Sequence, residues 1–548
     1  MAQLMGQMMQ MPLMISSLLR HAARHAGDVE IVSKRVEGDI HRYTYRDAEL
    51  RARKLAQALA RLGCAPGDRV GTLAWNGYRH FEIYYGASGS GLVLHTINPR
   101  LFPEQIAWIV NDAEDRVLCF DLSFLPLVEK LAPQLRSVKQ FVLLAGRSHM
   151  PAQTSLANLR CYEELVEAED GVYHWPEFDE NTASSICYTS GTTGNPKGAV
   201  YSHRSTLLHS YGLVMPDAMG VGGADVILPV VPMFHVNAWG TPYAAPMTGA
   251  KLVFPGPHLD GKSLYELMEA EKVTFSAGVP TVWLGLINFA KAQHLRFGTL
   301  KRTVIGGSAC PPAMMRTLED EFGVEVIHAW GMTEMSPLGT LARLKARHRD
   351  LGVEAQRRIL EKQGKAIFGV DMAIVGDEGQ ALPWDGRASG NLVVRGPWVI
   401  RSYYRRDESP LIGLDGQQWF PTGDVAAIDA DAYMQITDRS KDVIKSGGEW
   451  ISSIELENIA MAHPAVLEAA AIACAHPKWD ERPLLVVVRK PGAELTREQM
   501  LGFFEGRIAK WQVPDDVAFV DEIPHTATGK IQKLKLREMF KGHRLPGA

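Results

Sequence analysis

The spacing of apolar residues along this chain changes period several times, and each change predicts an element. After Thr44 the residues Leu55, Leu59 and Leu62 recur at helical spacing. Asp47 stands three residues past Thr44 as a near capping box, and Gly63 can end the run, which predicts a helix beginning at Thr44. Short apolar runs at 117–120, 141–144, 226–231, 251–254, 303–305 and 324–327 predict strands. Helical periodicity returns at 263–272 and 313–322. Strands alternating with helices predict parallel α/β sheets. No repeat of fixed period and no low-complexity tract is visible.

The pattern shifts after residue 400. The stretch 400–450 is rich in Gly, Asp and Arg and includes Pro421-Thr-Gly-Asp424 and the charged turn 438–442. Beyond it lies a small α+β pattern. Ser452 with Glu455 forms a capping box, 484–488 is a strand, and Thr496 with Gln499 forms a second box. The last 110 residues or so therefore predict a separate small domain bounded near 438.

Composition narrows the class. The 548 residues suggest two to four domains, and 46% apolar with 22% charged residues is a globular balance. Lys plus Arg is 58 against 62 acidic residues, so nothing demands a nucleic acid or an anionic membrane. Six cysteines with no C-x-x-C spacing speak against a zinc ribbon and for a reducing compartment. Six methionines fall in the first fourteen residues without a basic segment before an apolar run, which is no secretory signal. The most apolar stretch, 226–239, is too short and too broken by prolines to span a bilayer. A cytoplasmic, soluble chain is expected. The pair His21 and His25 has metal-ligand spacing without an acidic neighbour and is expected to be a surface face.

The strongest chemical signal is the string YTSGTTGNPKG at 188–198. Four hydroxyl residues and two glycines between a strand and Lys197 offer hydroxyl and backbone N–H donors to a polyphosphate. The spacing does not fit a Walker A loop. Signatures of serine hydrolases, dinucleotide-binding enzymes and zinc proteases are missing from the sequence.

This string resembles the phosphate-binding motif of the acyl-adenylate-forming superfamily, which contains acyl-CoA synthetases, luciferase and peptide-synthetase adenylation domains. Further strings follow in that superfamily's order. WGMTE at 330–334 resembles its aromatic-Gly-x-Thr-Glu motif, and Thr422-Gly-Asp424 its ribose-binding motif. DRSKD at 438–442 with KSGGEW at 445–450 resembles its hinge and following loop, and Pro524 with Thr528-Gly-Lys530 its catalytic-lysine motif. Within the superfamily VPMFHVNAW at 231–239, GVPTVW at 278–283 and 445–453 resemble bacterial medium- and long-chain fatty acyl-CoA synthetases. The related methylthiopropionate-CoA ligases share those strings.

The resemblance implies a large N-terminal domain of stacked α/β sheets with a small β-barrel-like part, residues 1–437. It implies a hinge at 438–443 about Asp438 and a mobile C-terminal lid at 444–548. It implies two half-reactions: a carboxylate attacks the α-phosphate of ATP, giving acyl-AMP and pyrophosphate, and coenzyme A then displaces AMP. Thr189 and Glu334 are expected at Mg²⁺, and Ser190, Gly191, Thr192, Thr193, Gly194 and Lys197 around the outer phosphates. Thr333 is expected at the α-phosphate, Asp424 at the ribose, Arg439 at the ribose or phosphates, and Gly307, Ser308, His328, Ala329, Trp330 and Gly331 around the adenine. Lys530 is expected to meet the charge of the first half-reaction, and Lys441, Lys445 and Trp450 to serve after the hinge turns. His235 is expected to border the carboxylate, and Val236, Trp239, Val279, Trp283 and Gly307 to line an acyl tunnel. Small-molecule partners and a homodimer are expected, with a non-CoA acceptor as the alternative acceptor and methylthiopropionate as the alternative acid.

Overall fold

The computed structural model describes residues 4–189, 195–447, 449–525 and 531–546. By contacts it divides into two compact units. The first comprises Met1–Thr189, Gly198–Pro216 and Gly220–His258, the second Ser190–Lys197, Asp217–Met219 and Leu259–Ala548.

The first unit is built on a seven-stranded sheet. Its order is Leu159–Cys161, Gln140–Leu143, Asp115–Phe120, Arg69–Leu73, Val93–Thr96, Ala183–Tyr188 and Gly198–Ser202. All neighbours run parallel except the last pair. Val226–Pro229, Lys251–Phe254 and Glu30–Lys34 also lie parallel in that order, with Ile40–Thr44 antiparallel at the edge. The helix Tyr45–Arg61 starts where its sequence predicts. The Asp47 amide donates to Thr44 Oγ1 at 3.3 Å, and the Thr44 amide donates back to the Asp47 carboxylate at 2.9 Å. Leu55 and Leu59 are buried on one face.

The helix Tyr78–Gly89 is buried on every side. Phe81, Ile83, Tyr84 and Tyr85 supply the apolar bulk. Its charged residues are paired by neighbouring segments: Glu82 takes Arg51 at 2.7 Å and the Tyr162 hydroxyl at 2.6 Å, while Arg79 reaches Glu163 and Glu37 at 2.7 Å each. Burial pushes the Glu163 carboxyl up, but the flanking Arg51 and Arg79 guanidiniums overcome it and hold the group at about 2.

In the second unit Phe275–Gly278, Arg302–Ile305 and Glu325–Gly331 are parallel neighbours, continued antiparallel by Leu338–Leu341 and Lys365–Ala366. A five-stranded antiparallel sheet follows, with the long strand Gln417–Ile428 pairing Ser389–Arg395, Ile412–Leu414 and Met434–Arg439. The last sheet pairs Val466–His476 with Asp480–Arg489 and carries the helices Ser453–Met461 and Arg497–Phe503. Its core joins Leu456, Ala469, Leu485, Val487, Met500 and Phe504. Thr496 and Gln499 form the full capping box, whereas at Ser452 the Glu455 amide bonds the serine but the reciprocal bond is not made.

Three expectations shift in detail. The apolar run from 226 leaves strand geometry after Pro229. The helical run at 313–322 is a right-handed turn over Pro312–Arg316 that widens to a π-turn over Thr317–Glu321. Asp438 and Arg439 close the strand Met434–Arg439, and the turn comes after them at 440–442. Among the described residues no helix is long and apolar enough to cross a membrane.

Candidate active site

The strand Glu325–Gly331 carries the aromatic-Gly-x-Thr-Glu string to its C-terminal end. Two glycines are required there by space. A Cβ on Gly331 would stand 2.0 Å from the Pro337 carbonyl oxygen, and one on Gly339 would meet the Trp330 ring at 2.7 Å. Gly339 thus lets the chain pass against one face of the indole, a role its place in the sequence does not signal.

The Trp330 indole N–H donates to one Asp424 oxygen at 2.8 Å, and Arg439 Nε stands 3.2 Å from the other. Asp424 is 4% exposed. It is placed by Gly423, whose φ of +76° turns the long strand, and by the Thr422 hydroxyl, which accepts from the Asp424 amide at 3.1 Å and donates to the Leu392 carbonyl at 2.8 Å. A carboxylate has about four acceptor positions, so positions remain for an incoming hydroxyl pair. Strand pairing sets Asp424 opposite Arg439, which explains how residues fifteen apart in sequence share a site.

His328 lies on the same strand and is 1% exposed. Its Nδ1 bonds the Glu361 carbonyl at 2.9 Å and its Nε2 accepts from the Cys310 amide at 3.2 Å. Burial lowers its pKa to about 4, so the ring is neutral. Both nitrogens are engaged, and the ring's part is to hold the loop 306–310. That loop turns at Gly307, φ +81°, and leaves Ser308 exposed. Gly306 runs close to the Ala329 carbonyl, 2.8 Å from where its Cβ would be.

Thr333 and Glu334 form a tight turn and are both buried. Tyr403 donates its hydroxyl to Glu334 Oε1 at 2.7 Å, and the Ile400 amide donates to the Glu334 carbonyl at 2.9 Å. Burial and the Glu334 charge raise the Tyr403 hydroxyl, which keeps it a donor. Lys197 Nζ lies 5.0 Å from the centre of the Tyr403 ring. Among the described residues no cation pairs with the Glu334 carboxylate, and no cluster of three or more His, Cys, Asp or Glu forms a metal cage. A buried carboxylate of this kind suits Mg²⁺, which usually takes one or two carboxylates and completes its shell with phosphate oxygens and water.

His235 belongs to the first unit and is half-buried. Val236, Asn237, Ala238 and Trp239 follow it in a left-handed turn, with φ between +46° and +54°. Consecutive left-handed L-residues cost roughly 1–2 kcal/mol each, so the turn must be held from outside. Asn237 does much of this: its amide donates to Ser185 Oγ at 3.1 Å, and its carbonyl oxygen accepts from Tyr84 at 3.3 Å and Cys187 at 3.4 Å. Tyr84 also bonds the Met233 carbonyl at 2.5 Å, and Asn76 bonds the carbonyls of Pro229 and Val231 at 2.9 Å each. The residues 236 and 239 expected at an acyl tunnel are therefore on strained backbone, a feature no periodicity reveals.

Val279 precedes the helix Pro280–Ala292 and Trp283 lies within it, 1% exposed, its indole N–H without a partner among the described residues. Asp438 is buried and accepts from the Ser453 amide at 2.6 Å, the Ser453 hydroxyl at 3.0 Å and the Arg439 amide at 2.7 Å. Lys533, half-buried and paired with Glu457 at 2.7 Å, bonds that same Ser453 hydroxyl. Lys445 lies exposed on Ile444–Ser446 and its amide donates to Glu481, and the Lys441 carbonyl accepts from Arg537. Thr189 ends the strand region at 183–188. Ser190, Gly191, Thr192, Thr193, Gly194 and Lys530 lie outside the described residues, as does the side chain of Trp450. The rings of His21 and His25 lie tilted to one another on an exposed face, their centres 4.6 Å apart.

Residues 18–404 match the AMP-binding enzyme family, and residues 455–530 match the AMP-binding enzyme C-terminal domain. The chain belongs to the AMP-binding enzyme family. It is 55% identical over 538 residues to the 3-methylmercaptopropionyl-CoA ligase of Ruegeria lacuscaerulensis, covering 98% of this chain and 99% of that one. It is 52% identical over 537 residues to the medium-chain-fatty-acid–CoA ligase of Ectopseudomonas oleovorans, covering 98% of each. Its fold is similar to that of an anthranilate CoA ligase solved with anthranoyl-AMP. The TM-score is 0.85 at 25% identity, over 97% of this chain and 98% of the other. The expected superfamily and the expected plan, a large adenylate-forming domain followed by a small C-terminal domain, both stand. By name all three relatives are CoA ligases, the enzyme class the motifs led to.

Proposed function

We propose that this enzyme is an ATP- and Mg²⁺-dependent ligase joining a medium- to long-chain fatty acid to coenzyme A. It proceeds through acyl-AMP and releases pyrophosphate and AMP. The observation that carries the adenylation half is Asp424, a buried carboxylate held by Trp330 and Arg439 on the family's ribose motif. In this reading Asp424 and Arg439 take the ribose, Trp330 with the loop at Gly307 and Ser308 takes the adenine, and Thr333 bonds the α-phosphate. The loop 189–198 wraps the outer phosphates. Glu334 and Thr189 hold the cation, which when bound neutralises charge on the phosphates.

His235 borders the acyl carboxylate, and Val236, Trp239, Val279 and Trp283 line the chain. Lys530 meets the charge that builds as the carboxylate attacks. The lid 444–548 then turns about Asp438, withdrawing Lys530 and presenting the 445–450 loop to the thiol. The enzyme is further placed in the cytoplasm, in fatty acid metabolism, as a homodimer. The strongly exposed Leu4, Met5, Met8, Met9 and Met11 support an apolar contact near the N-terminus.

A second acid has an observation in its favour. The 55% identical relative is named for 3-methylmercaptopropionate, against 52% for the medium-chain one. Pyrophosphate and thioester release with ATP, Mg²⁺ and CoA, over acids from propionate and methylmercaptopropionate to palmitate, separates the readings. A peak at medium or long chains supports the fatty acid. A peak at methylmercaptopropionate replaces it. Pyrophosphate without thioester on every acid means an acceptor other than CoA.

A further inference from the structure

We propose that Tyr403 is a positioning residue for adenylation, its hydroxyl fixing the Glu334 carboxylate for the divalent cation and its ring supporting the Lys197 ammonium. The inference rests on the roles given above to Glu334 and Lys197. Three distant segments meet at this one side chain. The hydroxyl is 2.7 Å from Glu334 Oε1, and the ring centre is 5.0 Å from Lys197 Nζ.

The segment that carries Tyr403 is fastened to the segment that carries Glu334. The Ile400 amide bonds the Glu334 carbonyl at 2.9 Å, the Ser336 hydroxyl bonds the Trp398 carbonyl at 3.1 Å, and the Trp398 indole N–H bonds the Leu338 carbonyl at 3.0 Å. Backbone and side chain of Glu334 are therefore both held by residues 398–403. A hydroxyl fixed on one carboxylate oxygen sets the plane of the group and aims the other oxygen. Such outer partners of a ligating carboxylate are worth about 10–100-fold in metal affinity. The ring attracts the ammonium by its quadrupole and limits the sweep of a long, exposed side chain. Together these contacts would let one residue align the cation ligand with a cation of the phosphate loop.

The test is calorimetric and needs no turnover. ATP binding is titrated at increasing Mg²⁺, and AMP binding is measured without metal, for the parent enzyme, Tyr403→Phe, Tyr403→Leu and Glu334→Gln. Tyr403→Phe keeps the ring and should raise the Mg²⁺ needed for half-maximal ATP binding about tenfold while AMP affinity stays at the parent value. Tyr403→Leu should add a further loss of about threefold in ATP affinity at saturating Mg²⁺, from the lost ring. If Glu334→Gln raises the Mg²⁺ needed for half-maximal ATP binding and Tyr403→Phe leaves it unchanged, the positioning role is refuted and the reading of Glu334 survives. If Glu334→Gln itself leaves the requirement intact, the reading of Glu334 fails and the inference goes with it. Equal loss of AMP and ATP binding in Tyr403→Phe means a general structural role and also overturns the proposal.

Discussion

Asp424 with Trp330 and the turn at 236–239 are both buried and both held by side-chain hydrogen bonds, yet they stand on opposite kinds of backbone. Asp424, Trp330 and Arg439 project from paired strands, one twist at Gly423 aside. Four consecutive residues of the turn have φ between +46° and +54°, and none is glycine. In the first region the backbone is at rest and the side chains carry the specificity. In the second the side chains of Asn237, Tyr84 and Asn76 restrain a backbone that would relax without them. Strain of this sort gathers at sites where a chain must present groups in a geometry that ordinary elements do not offer.

Substitutions can break this contrast, the largest effect first. Asp424→Ala removes two bonds to a charged group and is expected to cut kcat/KM for ATP by about 10²–10³, with the KM for the acid little changed. Steady-state kinetics with each substrate varied in turn checks this. A comparable loss for the acid would merge the two regions into one functional unit.

His328 gives a pH test on the strand side. Its folded pKa is depressed, from 6.5 to about 4, by burial. The stability it contributes is therefore complete above about pH 6.5 and is lost as pH falls toward 4. At 1.36 kcal/mol per unit this is on the order of 3 kcal/mol. Denaturant unfolding of the parent and of His328→Gln between pH 7 and 4 should show a shallower decline in the variant. Parallel curves would remove the histidine from the account.

Asn237→Ala tests the turn. Loss of its three bonds, to Ser185, Tyr84 and Cys187, should cost about 2 kcal/mol. In kinetics it should raise the KM for the acid more than that for ATP. The smallest effect is the sharpest in sign. Ala238 is left-handed and Ala58 is in a right-handed helix, and both are buried. Glycine at 58 should destabilise by about 1 kcal/mol. Glycine at 238 removes about as much strain and should leave the melting temperature near that of the parent or above it. Equal losses at the two positions would mean that the left-handed turn carries no strain.

Much of the strand-side site was legible because its motif residues have local reasons. Gly331 must be glycine beneath the Pro337 carbonyl, and Gly423 turns a strand. Tyr403, Gly339 and Tyr84 were not legible: each matters through a partner at least nine residues away, and tyrosine or glycine alone in a run says nothing of that partner. The helix at Thr44 was read from its cap because a capping box closes within four residues. The run 226–239 was read only as apolar, since hydropathy has no term for the hand of a turn. Asn237 is the one residue there whose type tolerates left-handed backbone, and a single such residue does not predict four.

By itself the sequence determined the alternation of strands and helices, the family, and which types of side chain could meet a nucleotide. Those properties lie in local spacing and in short strings whose chemistry is complete within a few residues. Tertiary structure alone decided that Trp330 and Arg439 share one carboxylate, that Tyr403 joins Lys197 to Glu334, and that Val236–Trp239 turns left-handed. Each depends on free energy gained between segments far apart in the chain, and no local pattern records which distant group will be there to supply it.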